Sequence, residues 1–370
     1  MNKWKKCLAA VLSLAIMGSA TACGGTDTSW AVKSDSLTVP VGAYIYNLSS
    51  AYQQADSMKE DSSKPVLEQN IEDKDATTWI KDTALRQTKA ILVINDKMSE
   101  LGISLTQEEL DSINSQTASY WGQISTAMTE YGVAQSSFNL AYADYYTKYG
   151  KVFDATYGKG GSEEVSDADL KDFYVKNYTA FSYVLAPVID MTDGTSLSEE
   201  DVAKLDTEFK DYASKINSGS MTMQEAADAY KASSADDTVQ LYTDTANFSS
   251  ESVSYPEEFG TTLKSMKAGE SRVVEVQGMY KVLLEKDDIT AKAEETLAND
   301  TGRTNILRDL KSDEFQDKIN AEADAYSATI NQKALDSYKP TMFVPKESSS
   351  VAPSEEVSSV AGEESSSEAA

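Results

Sequence analysis

Apolar residues recur at helical spacing along most of this chain and switch to strand-like runs in a few places. Ser36–Pro40 reads as a short strand ended by proline. Tyr44, Leu48, Ala51, Tyr52 and Ala55 then mark one helical face. A polar interval, Ser57–Pro65, separates this helix from a longer one over about Thr77–Leu101. There Trp79, Ile80, Ala84, Ile91, Leu92 and Leu101 form a wide apolar face, and Gly102 is the stop. Thr106 and Glu109 have capping-box spacing, and Leu110 and Ile113 continue the helical pattern behind them. Tyr142, Tyr146, Tyr149, Phe153 and Tyr157 fall three or four apart and predict a single aromatic helix face. Gly158–Gly161 breaks that helix, and Ser166 caps the next, which leads to Tyr178.

The pattern changes at Phe181. Phe181–Val188 is strand-like as far as Pro187. Val202, Leu205, Phe209, Tyr212 and Ile216 then give an amphipathic helix over Ser198–Ile216. Gly219 ends it, a shorter helix spans Met223–Tyr230, and a polar loop runs through Ser233–Thr238. A short helix from Pro256 to Met266 and a turn at Lys267–Glu270 precede two apolar runs, Val273–Val276 and Tyr280–Leu284. Gln277-Gly278 between them is a hairpin signal. This order predicts an α+β fold: an antiparallel sheet covered by helices on one side. Thr301–Tyr338 is again helical in pattern until Pro340. From Lys346 onward there are nine serines and six glutamates with hardly any apolar mass, so the tail is expected to be disordered.

Composition narrows the chemistry. Hydrophobic content of 41% over 370 residues supports a substantial core. Acids outnumber bases 60 to 33, which disfavours nucleic acid as a partner. Histidine is absent, so no His-dependent triad, His general base or His metal ligand exists in the chain, and no cofactor is expected. Lys3, Lys5 and Lys6 precede an apolar run, Leu8–Met17, and small residues lead to Cys23. The pattern resembles a bacterial lipoprotein leader, in which the cysteine is acylated and becomes the first mature residue. Thr21-Ala22-Cys23 fits that motif, while Ala20 stands where leucine is usual. With Cys7 removed in the leader, Cys23 would be the only mature cysteine, and no disulfide would form.

The stretch Val165–Val188, the strand–helices–hairpin order after it, and Ala268-Gly269-Glu270 followed by Val273-Val274 and Gly278 resemble a parvulin-type peptidyl-prolyl isomerase domain. The longer arrangement of anchor, helical region, parvulin-like insert and returning helix is similar to that of extracytoplasmic foldase lipoproteins. The resemblance implies a helical chaperone-like domain, made of N-terminal helices plus a C-terminal helix, carrying an inserted parvulin-like antiparallel sheet with its helices. The implied division is a signal peptide at 1–22, a lipid-anchored tether at 23–35, the helical domain at 36–178, the parvulin-like domain at 179–288, the returning helix at 289–342 and the tail at 343–370.

The same resemblance implies a location on the outer face of the cytoplasmic membrane, held by lipid on Cys23, and newly secreted or unfolded polypeptides as clients. Parvulins place one histidine on the first strand, another on the last and an Asp or Cys in the loop between. Here Tyr183 and Tyr280 occupy the histidine positions, and Asp236 lies near the loop acid. Prolyl isomerisation breaks no covalent bond, and an isomerase lowers a rotational barrier of ~18–20 kcal/mol chiefly by binding the twisted amide, so tyrosines can line such a pocket. A second reading of the same two residues, paired core positions of a non-catalytic binding module, stays open. Tyr142, Tyr146, Tyr149 and Phe153 are the candidates for a client-holding aromatic cleft, with core packing as the alternative.

Overall fold

The computed structural model describes residues 28–189, 194–249 and 254–345. The expected leader at 1–22, the lipid-attachment residue Cys23 and the tail from residue 346 lie outside the described residues. The fold is α+β, and it divides into two compact units. Among the described residues, the first draws on 28–92, 112–143 and 327–345, and the second on 93–111 and on the described part of 144–326.

In the first unit, Trp30–Lys33 pairs antiparallel with both Thr38–Pro40 and Thr329–Ile330. Residues 30–33, expected within the tether, are therefore a strand, with Ala31 and Val32 completely buried. The helix Val41–Met58 follows Pro40 directly. One side of it, with Tyr44, Leu48, Ala51 and Ala55, packs on Trp79, Ile80 and Ala84. Its Ile45 joins a second cluster with Met128, Val133 and Phe138. The buried amide of Asn47 donates to Thr88 Oγ1 at 3.0 Å, and Thr88 donates in turn to the Ala84 carbonyl at 2.7 Å, so this polar pair is satisfied inside the apolar packing. Phe343, at the start of the expected tail, packs edge-on against Tyr131 at 4.9 Å.

The long C-terminal helix expected to Tyr338 stops earlier. Asp300–Ala325 is helical, the chain turns extended at Tyr326, and Thr329–Ile330 becomes a strand. Asn331 then donates from its backbone to Ala31 O and from its side chain to Trp30 O, and it caps the short helix Gln332–Asp336. The partner for these bonds lies some 300 residues upstream, which helical periodicity does not register.

The second unit holds a four-stranded antiparallel sheet in the order Tyr242–Ala246, Thr179–Pro187, Tyr280–Lys286, Ser271–Val276. Gln277 and Gly278 both have positive φ, 51° and 66°, which is the backbone a two-residue turn of this hand requires. Strand alternation gives each face its own core. Val184, Ala186, Val188 and Leu283 point toward the helices Glu199–Asn217 and Met223–Ser234. Phe181, Val274, Val276, Val282 and Leu284 point to the other face and meet Phe259, Leu263 and Met266. Helical cover thus occurs on both faces, since Glu257–Ser265 lies on the second one. Each fully buried large side chain here stabilises the sheet by about 1.5–3 kcal/mol.

The remaining helices of this unit, Ala143–Tyr157, Asp167–Asn177, Ile289–Leu297 and Asp300–Ala325, are joined by aromatic and ionic pins. Phe315 receives the edges of Tyr149 at 4.7 Å and Phe153 at 5.4 Å. Arg303, only 6% exposed in its side chain, bonds Asp167 at 2.7 Å and the Val165 carbonyl at 2.9 Å. No helix among the described residues is long and apolar enough to cross a membrane.

Candidate functional site

Tyr183 sits near the middle of the sheet strand Thr179–Pro187, on the face that carries Phe181 and Leu185. Its ring stacks on Tyr242 of the edge strand, with centroids 5.0 Å apart and planes 14° from parallel. It receives Phe259 at 5.3 Å and 88°, and Tyr255 at 6.2 Å and 85°. Phe181 extends the array, edge-to-face with Tyr255 at 5.0 Å and tilted against Phe248 at 5.7 Å. Six rings from two strands and the segment after them therefore converge on one face. Gly260 admits one of them: a Cβ there would come within 2.9 Å of the Phe248 ring.

Polar groups of this face include those of Tyr183, Tyr242, Tyr255 and Asp244. The Tyr255 hydroxyl donates to Asp244 Oδ2. The Tyr183 and Tyr255 phenols interact electrostatically across their perpendicular ring contact. Asp244 also caps the backbone N–H of Thr245 through Oδ1 at 2.7 Å. Burial pushes both phenols above the ordinary tyrosine range, and for Tyr255 the bond to Asp244 adds to the effect. Both therefore remain neutral hydroxyls through the physiological range.

Of the three expected pocket positions, the structure puts two on this face and one elsewhere. Tyr280 opposes Pro187 in the ladder, while Tyr183 opposes Leu284. The two tyrosines thus share a face but stand four residues apart along it, roughly 13 Å at the strand rise. Asp236 follows the left-handed Ala235 at the end of Met223–Ser234, and its Oδ1 accepts from Thr238 N at 2.8 Å and Thr238 Oγ1 at 2.7 Å. These bonds hold its carboxyl below the usual range. It interacts electrostatically with Tyr230, whose ring belongs to the cluster behind the sheet, so it is not the acid beside Tyr183. The acid that is there is Asp244. Tyr242 and Asp244 escape a sequence reading because Tyr242–Ala246 is a polar edge strand without apolar alternation, and Tyr255 lies in the irregular segment after it.

The aromatic residues of the helical region do not form one face. Tyr142 interrupts the helix pattern with φ −118° and ψ −88°, between Gln135–Ala141 and Ala143–Tyr157. It stacks on Phe138 at 5.2 Å and meets Tyr120 at 5.1 Å in the first unit. Tyr146, Tyr149 and Phe153 belong to the second unit. Phe153 is 3% exposed and locked against Phe315, Tyr149 is half-buried, and Tyr146 alone is widely exposed at 59%. A single non-helical residue, Tyr142, interrupts the helical spacing on which one aromatic face depends.

Solved structures of foldases resemble the chain. The foldase protein PrsA from Lactococcus lactis is 14% identical, with a TM-score of 0.37, over 83% of this chain and 97% of that one. PrsA from Streptococcus pneumoniae is 12% identical, with a TM-score of 0.32, over the same shares. PrsA from Bacillus subtilis is 17% identical, with a TM-score of 0.25, over 64% of this chain and 85% of that one. No family model matches the chain, and no curated protein does.

Proposed function

We propose that this protein is a lipid-anchored extracytoplasmic foldase that holds newly secreted or unfolded polypeptides, and that the sheet-bearing segment 179–288 is its parvulin-like prolyl-peptide module. The observation that carries the reading is the aromatic face around Tyr183. A histidine-free chain there presents stacked and perpendicular rings with neutral hydroxyls, on the strand where the resembled family keeps its first histidine. With Phe181 and Phe259 buried beneath, the partly exposed Tyr183, Tyr242 and Tyr255 suit the apolar ring and flanking carbonyl of a prolyl segment. Twisting the amide in a water-poor site lowers its rotational barrier without a general base. The leader-like residues before Cys23 support the anchoring.

The test is the purified mature chain in two assays: suppression of aggregation of an unfolded client, and acceleration of cis–trans exchange in a proline peptide. Activity in neither removes the reading. The tyrosines at both histidine positions favour a second reading, a scaffold that binds one envelope partner without catalysis. Recovery of one stoichiometric partner with no effect on unrelated clients would select it.

A further inference from the structure

Tyr242–Ala246 is an edge of the four-stranded sheet, and among the described residues no strand pairs with its outer side. The ladder fixes which of its backbone groups face outward. Ala180 O accepts from Asp287 N at 2.9 Å, so the Ala180 backbone points away from Thr245, its partner on the edge strand. In an antiparallel pair both members of such a position point away from each other, and the direction alternates along the strand. Thr245, and Thr243 opposite Ser182, therefore direct their N–H and C=O groups out of the sheet, at the alternate-residue spacing that an added strand uses. One of these donors is guarded by a side chain: Thr245 N–H goes to Asp244 Oδ1 at 2.7 Å. Thr243 and Asp244 are both exposed.

The surroundings of this edge are acidic. A cavity of about 340 Å³ lies beside it, bounded by Thr243 and Asp244 on one side and by the start of the helix Ile289–Leu297 on the other. Asp244, Asp287, Asp288 and Glu295 line it against a single ammonium, Lys292, which is already paired with Glu295 at 2.9 Å.

Resting on the foldase reading above, we propose that the Tyr242–Ala246 edge takes up an extended client segment as an additional strand, with a lysine or arginine of that segment held in the acidic cavity. A client carbonyl replaces Asp244 Oδ1 on the Thr245 N–H, and the carboxylate oxygen so released turns to the incoming cation. Backbone pairing is indifferent to side chains, so the cation in the cavity supplies the preference. Charge also selects this occupant over others. A second copy of the same edge would bring carboxylates against carboxylates, and the Ser/Glu-rich residues from 346 onward carry the same sign. Asp244 Oδ2 accepts from Tyr255, so the edge and the aromatic face share one residue, and a single extended client can engage both.

The experiment measures, by fluorescence anisotropy, binding of the full mature chain to labelled Val-Thr-Val-Lys-Val-Thr and to its Gln and Glu counterparts. The Lys peptide is also made with N-methyl groups on alternate residues, in each of the two phases. It is expected to bind about tenfold more tightly than the Gln peptide, of the order of one charge-assisted hydrogen bond, with the Glu peptide weakest. One phase of N-methylation should abolish binding and the other leave it within about twofold, because only alternate N–H groups of an added strand face the edge. Thr243→Pro removes an outward donor and no ladder bond, and should weaken all three peptides by about tenfold. Asp244→Asn should bring the Lys and Gln peptides to within about threefold of each other. Equal binding of the Lys and Gln peptides to wild type, or the same response to both phases of N-methylation, would overturn the proposal. A wild-type dimer that Thr243→Pro dissolves would assign the edge to a second copy and overturn it too. Suppression of client aggregation in either of those cases leaves the foldase reading standing, while a wild type that binds no peptide and suppresses no aggregation overturns both.

Discussion

The ring of Tyr183 lies nearly flat on that of Tyr242, 5.0 Å away on the neighbouring strand, and the two residues are directly paired in the ladder. This contact ties the aromatic face to an edge strand whose other residues are mostly polar. Removing the Tyr242 ring should therefore loosen the edge as well as the platform. Tyr242→Ala is expected to cost about 1 kcal/mol, the scale of a cross-strand aromatic pair, and to weaken prolyl-peptide binding. Denaturant unfolding with peptide titration checks both effects, and unchanged peptide binding would argue against a working platform.

The hairpin turn offers a pair of substitutions with opposite signs. Gly278 has φ 66°, so Gly278→Ala forces a side chain into the left-handed region and should destabilise by about 1 kcal/mol. Gln277 already pays that strain at φ 51°, so Gln277→Gly should be neutral to stabilising by a few tenths of a kcal/mol. Unfolding midpoints of the two variants should fall on either side of wild type.

Glu314 is bonded by Lys311, Lys318 and Tyr157, which bring its carboxyl from the usual range down to about 2. A carboxyl that is more acidic in the folded state supports the fold above its unfolded pKa, and that support is lost as pH falls through the folded value. The stability gap between wild type and Glu314→Gln is thus expected to be widest at pH 6–7 and to close between about pH 4.5 and 2, which urea titrations at several pH values would reveal. A pH-independent gap would place the loss in packing instead.

Glu285 and Asp287 behave in the opposite sense. Both are half-buried behind the sheet, where burial pushes them up, opposed at Asp287 by the bond from Ser182 Oγ at 2.7 Å. Their folded pKa values exceed the unfolded ones, so each costs stability at neutral pH and the cost disappears as pH falls through the raised value. Asp287→Asn, which can still accept from Ser182, should raise the unfolding midpoint at pH 7 and converge with wild type near pH 4. A lower midpoint at pH 7 would refute this.

Much of the element order was readable because its causes are local. The capping box is one case: Thr106 N meets Glu109 Oε2 at 2.7 Å, and Glu109 N meets Thr106 Oγ1 at 3.2 Å. The Gln277-Gly278 turn and the helical spacing over Glu199–Asn217 are others. The candidate site was only half legible. Tyr183 and Asp236 both enter through the resemblance to the parvulin pattern, and nothing local in the sequence shows that the Asp236 loop folds onto its own Thr238.

The sequence by itself determined the strands, helices and turns whose signals lie within a few residues of one another, together with the absence of histidine chemistry and a strongly acidic charge. Only the tertiary structure decided that Asp244 and Tyr255 stand beside Tyr183, that Tyr142 parts from Tyr146, and that Thr329–Ile330 leaves the helical pattern to pair with Trp30–Lys33. The physical reason is the same in each case. A polar edge strand, a single non-helical φ/ψ and a two-residue strand have little local propensity, and each is stabilised by ring contacts or backbone hydrogen bonds from residues distant in the chain.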